Sequence, residues 1–576
     1  MSENILQGLT GSGQSGSRKK RVFMLGAGFM QGVAIRAARA LGCTVVAADG
    51  NPQAVCADEA DIFVPIDLKD TAGLIDYARS LQQHGGLDAV FTAATDFSAA
   101  VAAVAQACGL PGHPLEAALN ATDKVRMRQC FRKGRVSSPV FSELTAADLA
   151  EPDLPAEKIE PLLGCFPVVV KPVDSMGARG CRLVDTLDDV RPAAEQAVRY
   201  SRSGRVIVEE CIQGSEFSIE GLIFDGRLFV TALADRHIFF PPYFIEMGHT
   251  IPSDCCQPLA DEIIAVFEQG VRALGLSCGA VKGDILVRDG KAFVGEIAAR
   301  LSGGYMSGWT VPYSSGLDIT AAALQLALGT PPRLHSSGNA AFKVPLKQHC
   351  PLVSAERAWI SIPGQIAAVR GLEAARAVPF VKDVFPRIGV GDTAVFPQNN
   401  VEKCGNVLSA APTRTEAVQA SEQACRKVVL RLEPHQPETD AFLALLNPPG
   451  AQSVYPPNML QLRTVSAASF EEALAAAAYE EKAGFVLPDF LAAELDTACD
   501  VQGRTLKELL RQALEEEPAL AAVLCAGGQY TGSGDSRTLD RNKHCADQSV
   551  QKNAYWKALI RGGLQGLLYR YDCEQA

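Results

Sequence analysis

Along this chain, short apolar runs alternate with stretches whose apolar residues recur every three to four positions. Arg21–Leu25 is an apolar run of strand length, and the turn Gly26-Ala27-Gly28 after it opens a helical pattern that reaches Leu41. Thr44–Ala48 repeats the strand signal and ends at Asp49, a helix follows around Leu74–Leu81, and Ala89–Thr92 is the next strand. Strand and helix in alternation predict a parallel, doubly wound sheet. Further on, Val281–Gly304 holds two alternating runs, Gly283–Val287 and Ala292–Ile297, joined by Arg288-Asp289-Gly290-Lys291. Asp-Gly between alternating runs predicts a hairpin. From about residue 334, Ala341–Leu346, Gly364–Val369, Val378–Phe385 and Gly405–Ala411 alternate like antiparallel strands, and Thr415–Val429 has helical spacing. After a Pro-rich stretch, Ser469–Lys482, Leu506–Glu516, Ala519–Leu524 and about Asn553–Tyr569 carry the 3.6 period of amphipathic helices, around a polar loop at Gly527–Gln548.

At 576 residues the chain has room for three or four domains. The pattern divides it into a Gly/Ser-rich disordered tail (1–18), an α/β domain (19–118), a central α+β domain (119–333), a small antiparallel domain (334–445), a linker (446–458) and a mainly helical accessory domain (459–576). A net charge of −11 argues against a nucleic-acid surface, which needs a basic footprint. The 17 cysteines are scattered without zinc spacing, which fits reduced thiols in a cytoplasmic protein. No apolar run has membrane-spanning length, and the tail lacks the apolar core of a signal peptide.

The chemistry concentrates in the central domain. Alternation along the hairpin puts Lys282 and Asp284 on one side, with Glu296, Ala298 and Arg300 lined up likewise on the partner strand. Two carboxylates there suit Mg²⁺ bridged to phosphate, whereas the plain alternative is a solvated charged face. Lys124 begins a helix, where its charge opposes the helix dipole. Lys171 ends the strand Pro167–Lys171 and leads into the loop Asp174–Gly180, whose glycines would let backbone amides turn inward on a phosphate. The strand Arg205–Val208 runs into Glu209-Glu210-Cys211-Ile212-Gln213-Gly214-Ser215-Glu216, where an adenine edge and ribose hydroxyls could be held. In the aromatic segment Phe239–His249, Glu246 and His249 are candidates to line a substrate pocket, and Trp309 is either pocket or core. Gly26, Gly28 and Gly32 only approximate a dinucleotide fingerprint, the last spacing being one residue long. That turn reads instead as a place where a small ligand or phosphate meets backbone N–H groups. The polar cluster Asp535, Arg537, Asp540, Arg541 and His544 is the only hint of a second site.

Taken in series, five of these motifs resemble the ATP-grasp superfamily: Asp123-Lys124, Val-Val-Val-Lys171-Pro, the Ser175–Gly180 loop, Val-Glu209-Glu210-x-Ile-x-Gly-x-Glu216, and Asp284…Glu296-x-x-x-Arg300. Glu246-x-Gly-His249-x-x-Pro252 and Glu296-Ile-Ala-Ala-Arg300-Leu-Ser-Gly-Gly304 look most like the L-amino-acid ligase branch, which joins a carboxylate to an amine. The resemblance implies a pre-ATP-grasp domain, an ATP-grasp domain at 119–333 and a C-terminal domain that completes the ligase. It implies ATP with Mg²⁺ or Mn²⁺ as cofactors, and small-molecule carboxylate and amine substrates. Lys124 and Lys171 would contact the ATP phosphates, and Ser175, Met176, Gly177 and Gly180 would close over them. Glu209 would accept from the adenine amino group, Glu210 and Ile212 would pair with adenine through their backbones, and Glu216 would hold the ribose. Asp284 and Glu296 would hold the metal, Lys282 would face the γ-phosphate, and Arg300 would hold the substrate carboxylate. Ala298 departs from the pattern, since many relatives carry Asn there. The implied reaction makes an acyl phosphate that an amine then displaces. A biotin-carboxylase-like or purine-pathway enzyme and an inactive nucleotide-binding scaffold are the alternatives, and the accessory helices read as a dimerisation or docking module, with a homodimer the simplest assembly.

Overall fold

The computed structural model describes residues 18–332, 350–451, 454–463, 465–525 and 547–576. The tail 1–17, the expected strand Ala341–Leu346 and the Asp535–His544 cluster lie outside the described residues. Two compact units form, one from Met1–Ile238, Gly248–Glu356 and Leu408–Val418, the other from Phe239–Met247, Arg357–Val407 and Gln419–Ala576.

In the first unit, β1 (Arg21–Leu25), β2 (Thr44–Ala48), β3 (Ile62–Val64) and β4 (Ala89–Phe91) make a parallel sheet in the order β3-β2-β1-β4. Its strands are buried on both faces, with α1 (Phe29–Ala40) and α2 (Thr71–Gln83) packed on it, which is why they read as continuous apolar runs rather than as alternation. The turn before α1 differs from expectation. Its amides at Ala27 and Gly28 donate to the side chains of Asp49 (2.9 Å) and Gln31 (3.1 Å), and Gln31 in turn donates to Ala93 O (2.6 Å). The chain's own oxygens fill the place that the sequence suggested for a phosphate.

A second, antiparallel sheet has β5 (Phe141–Thr145), β6 (Val168–Pro172), β7 (Arg182–Val184) and β8 (Arg205–Glu210) in the order β5-β8-β6-β7. A third and larger sheet places β9 (Ser215–Phe224), β10 (Arg227–Phe239), β11 (Ile245–Ile251), β12 (Gly279–Arg288) and β13 (Lys291–Ala298) side by side as β13-β12-β9-β10-β11. The β12–β13 turn has positive φ at both Asp289 (52°) and Gly290 (74°), the geometry that Asp-Gly favours. Two helices, α3 (Lys124–Gly134) and α4 (Gln257–Leu274), close one face of this sheet. A Cβ at Gly283 would lie 2.7 Å from the Phe267 ring, so the glycine lets α4 sit close on β12.

In the second unit, Gly364–Arg370 pairs antiparallel with both Thr393–Ala394 and Val429–Leu432. The expected helix over Ser469–Lys482 is a correction. Helix Phe470–Ala476 stops, and Tyr479–Lys482 turns back to pair with Phe485–Pro488. An alanine-rich run satisfies the helical period by composition alone. Burying Phe485 and Leu487 fully in the core of this region outweighs that propensity. The last helix, Asp547–Gln575, is broken at Gly563, where φ is 61° and ψ −147°. Among the described residues no helix is long and apolar enough to cross a membrane.

Candidate active site

Alternation puts Glu216, Ser218 and Glu220 on one face of β9, and strand register brings them beside the hairpin. Ser218 lies opposite Asp284 and Glu220 opposite Lys282, while Asp284 faces Glu296 across β12 and β13. The Asp284 carboxylate accepts from Ser218 Oγ (2.9 Å) and from Lys282 Nζ, and Arg236 of β10 comes within 3.2 Å of it. Arg236 also donates to Glu216 (3.1 Å), so one guanidinium ties Glu216 to Asp284. Burial works against the charge on Asp284, but Arg236 and Lys282 outweigh it and hold the carboxyl well below its ordinary range. Glu296 is likewise held low against burial, chiefly by Lys124, with Asp284 opposing and Lys171 and Lys282 adding to the effect. Both acids are therefore carboxylates at neutral pH.

The lysines arrive from remote segments. Asp123 caps α3 by accepting from Arg126 N (2.9 Å), which fixes Lys124 as the first helical residue. Its buried ammonium donates to Ser175 O (2.7 Å) and stands 3.9 Å from Glu296. On β6, Lys171 pairs with Glu209 of β8 at 2.5 Å, and Arg128 of α3 pairs with the other Glu209 oxygen at 2.7 Å. Glu209 is only 2% exposed, and each of its oxygens lies within ion-pair distance of one of these two cations. Burial opposes the Lys171 charge, but Glu209 outweighs it and keeps the group above the ordinary lysine value.

The loop after β6 is tied down at both ends. Asp174 accepts from Ser201 Oγ and from the amides of Arg202 and Ser203 (2.9–3.0 Å), while Arg179 reaches Asp96 (3.0 Å). Gly177, Ala178 and Gly180 all have positive φ (70°, 59° and 69°). A Cβ on Gly180 would meet the Tyr200 ring at 2.8 Å. Arg300, which follows β13, is buried and points a guanidinium nitrogen at Met176 Sδ (3.4 Å). It also lines a partly open cavity of about 60 Å³, together with Phe91, His113, Ala280 and Leu301.

Of the sequence-predicted residues, Lys124, Ser175, Met176, Lys282, Asp284, Glu296 and Arg300 are thus linked by direct contact, adjacent register or chain adjacency; Glu216 joins them through Arg236, and the Lys171–Glu209 pair acts on Glu296 through the Lys171 charge. Glu210 sits at the end of β8, where its amide donates to Val140 O (2.9 Å) and its side chain accepts from Arg288 (2.8 Å). Ile212 is buried in the following turn. His249 is 2% exposed, with Nδ1 2.7 Å from Glu356 and Nε2 2.6 Å from Thr310 Oγ1. Glu246 belongs to the second unit, where its amide donates to Asn400 (2.8 Å) and its carbonyl accepts from Lys403 (2.6 Å). Trp309 packs between the rings of Phe29 (5.8 Å) and Tyr305 (5.4 Å). Ala298 faces Lys282 in the register and is buried. Sequence reasoning missed Arg128, Arg236 and Glu220. The signal for Glu220 was present, since it continues the alternation Glu216, Ser218, Glu220 on a strand already implicated.

Among the described residues no group of three or more His, Cys, Asp or Glu is gathered to hold a metal ion. Asp284 and Glu296, ionised and opposed on paired strands, fit instead a Mg²⁺ ion that takes its remaining oxygens from substrate phosphate and water.

Comparison with known proteins agrees with this architecture. Residues 35–112 match the ATP-grasp N-terminal domain, 165–308 the ATP-grasp domain, and 358–433 the L-amino acid ligase C-terminal domain 2. Carnosine synthase 1 of Gallus gallus is 26% identical over 335 residues, covering 55% of this chain but only 36% of its own length. The chain thus spans little more than a third of that relative. Among solved structures, an L-amino acid ligase from Bacillus licheniformis is similar with a TM-score of 0.60 at 21% identity, covering 73% of this chain and all of that one. A carboxyaminoimidazole ribonucleotide synthase from Aspergillus clavatus, complexed with ATP, has a TM-score of 0.55 at 16% identity, over 71% of this chain and 98% of its own. The chain thus carries an ATP-grasp N-terminal domain and an ATP-grasp domain followed by a ligase-type C-terminal domain, and in this arrangement it resembles the L-amino acid ligases.

Proposed function

We propose that the protein is an ATP-dependent carboxylate–amine ligase that activates the carboxylate of an amino acid as an acyl phosphate and joins it to an amine, releasing ADP and phosphate. The observation that supports this most is the gathering of Lys124, Lys171, Glu216, Asp284 and Glu296, encoded across about 170 residues, around one polar site. Phosphoryl transfer asks a protein chiefly for positioning and charge neutralisation.

In this reading Lys124 and Lys171 bind the ATP phosphates under the Ser175–Gly180 loop, which excludes water from an acyl phosphate that would otherwise hydrolyse. Lys171 leaves Glu209 in part to do so, while Arg128 keeps Glu209 paired. Glu216 holds the ribose, and the strand end at Glu210 and Ile212 meets the adenine. Mg²⁺ held by Asp284 and Glu296 would neutralise charge on the transferring phosphate. Arg300 orients the attacking carboxylate, for which its planar fork is suited, and Lys282 stabilises the oxygens of the phosphate as it moves. Residues 459–576 serve as a docking or dimerisation module in the same scheme.

Screening pairs of amino acids for phosphate release from ATP tests the reading. Release that requires two amino acids supports it. Release driven by bicarbonate with biotin or a purine precursor would replace it with a carboxylase-type activity, and ATP binding without turnover under any substrate would make the chain a nucleotide-binding scaffold.

A further inference from the structure

One acidic group at the site has no task in the scheme above. Glu220 is 1% exposed. Its Oε1 accepts from Ser302 N (2.7 Å) and from Ser307 Oγ, but its Oε2 is buried without a hydrogen-bond partner. A buried acceptor left unmade costs about 1–3 kcal/mol, and such a group calls for an explanation. The charged groups around it come from every neighbouring element: Lys282 opposite it on β12, His249 on β11 with Glu356 behind it, and Arg300 after β13. Burial, only partly offset by Ser307, Ser302, Lys282 and His249, raises its carboxyl above the ordinary range. Ser302 and Ser307 fix the carboxylate plane, so the second oxygen is held in place rather than free to turn away.

We propose that Glu220 Oε2 receives the nitrogen of the amine substrate and takes its proton as that nitrogen attacks. The assignment rests on the ligase reading. An amine arrives mostly as R–NH₃⁺, whose lone pair is occupied. One N–H proton moves to Oε2, and the freed lone pair forms the C–N bond at the acyl carbon. The C–O electron pair leaves with phosphate, which carries off the second N–H proton, and the proton on Glu220 returns to solvent after the amide departs. Lys282 lies directly opposite Glu220 on β12, and Arg300, which orients the carboxylate in the scheme above, is near enough to feel the Glu220 charge.

Hydroxylamine separates this role from activation, because near neutral pH it is already an unprotonated nucleophile and traps an acyl phosphate as a hydroxamate. In the wild-type full chain, ATP and the carboxylate should give hydroxamate with hydroxylamine and amide with the amine. Glu220→Gln keeps the Ser302 and Ser307 contacts and is expected to lose about 100-fold or more in amide formation. Its hydroxamate formation should fall far less. Its residual amide formation should rise about tenfold per pH unit, as solution supplies free amine. Should the Gln variant melt well below wild type, Glu220→Asp, which keeps the base one methylene short, is expected to show the same split in weaker form. Equal loss of both products, or loss of neither, would overturn the assignment. Absence of hydroxamate from the wild type would instead remove the ligase reading on which it rests.

Discussion

Glu209 offers the sharpest test of how the site is held together before any ligand arrives. Its carboxylate lies 2.7 Å from Arg128 and 2.5 Å from Lys171, with side-chain exposures of 2%, 1% and 17% respectively. Each contact is worth roughly 6 kcal/mol of attraction at an effective dielectric of about 20, most of it offset by the cost of taking the charges out of water. Removing the shared anion leaves two cations facing one another in a buried site, and breaking such a pairing costs about 3–5 kcal/mol. Glu209→Gln keeps one acceptor oxygen and belongs at the lower end, whereas Glu209→Ala keeps none and belongs at the upper end. Hydrogen exchange of the β8 backbone, in the regime where it reports the opening equilibrium, should accelerate roughly 10²–10⁴-fold. Because Arg128 and Lys171 hold Glu209 low against the opposing effect of burial, its contribution is fully present above the unfolded value of about 4.3 and is lost as pH falls through the lower folded value. The difference between wild type and Glu209→Gln should therefore be flat from pH 8 to about pH 5 and shrink below about pH 4. An acceleration under tenfold at neutral pH would refute the claim that this triad carries a large share of the stability of the β5-β8-β6-β7 sheet.

Other consequences can be checked with the same protein. Glu296→Ala should lower kcat by about 10²–10³-fold with little change in melting temperature, because its side chain is 28% exposed and its Lys124 contact is a long 3.9 Å; wild-type turnover would contradict the metal site. At Gly214 φ is 155°, and a Cβ there would lie 1.9 Å from the Val287 carbonyl oxygen. Gly214→Ala should therefore push the Ile212–Glu216 turn off β12, raise KM for ATP about tenfold and cost about 1–3 kcal/mol in urea unfolding. Unchanged KM would show that the turn is not part of the nucleotide site.

The strands at Arg21–Leu25, Thr44–Ala48 and Ala89–Phe91, the hairpin and the lysine at the start of α3 were legible in the chain because each carries a local signal: continuous apolar runs, Asp-Gly between alternating strands, an Asp at the helix N-cap. The short strand Ile62–Val64 carries too few residues to stand out, and Val353–Trp359 is interrupted by Glu356 and Arg357 in succession, which breaks the alternation. The partners that hold the site in place were less visible. Arg128, Arg236 and Glu220 come from three different elements and meet their counterparts only through helix packing and strand register, which no short stretch of sequence encodes. The glycine turn before α1 was misread for the same reason, since Asp49 and Gln31 close it from outside the motif. Local propensity also failed at Tyr479–Lys482, where an alanine-rich helix gives way to a hairpin that buries Phe485 and Leu487.

The central claim is that a carboxylate oxygen attacks the γ-phosphorus of ATP in the site bounded by Lys124, Lys171, Asp284 and Glu296. Turnover with an amino acid labelled with oxygen-18 in its carboxylate, followed by mass analysis of the phosphate, measures that event directly. The account predicts one labelled oxygen in each phosphate released, at a rate that falls about 10²–10³-fold when Glu296→Ala replaces the wild type. Unlabelled phosphate accompanying amide formation would contradict it.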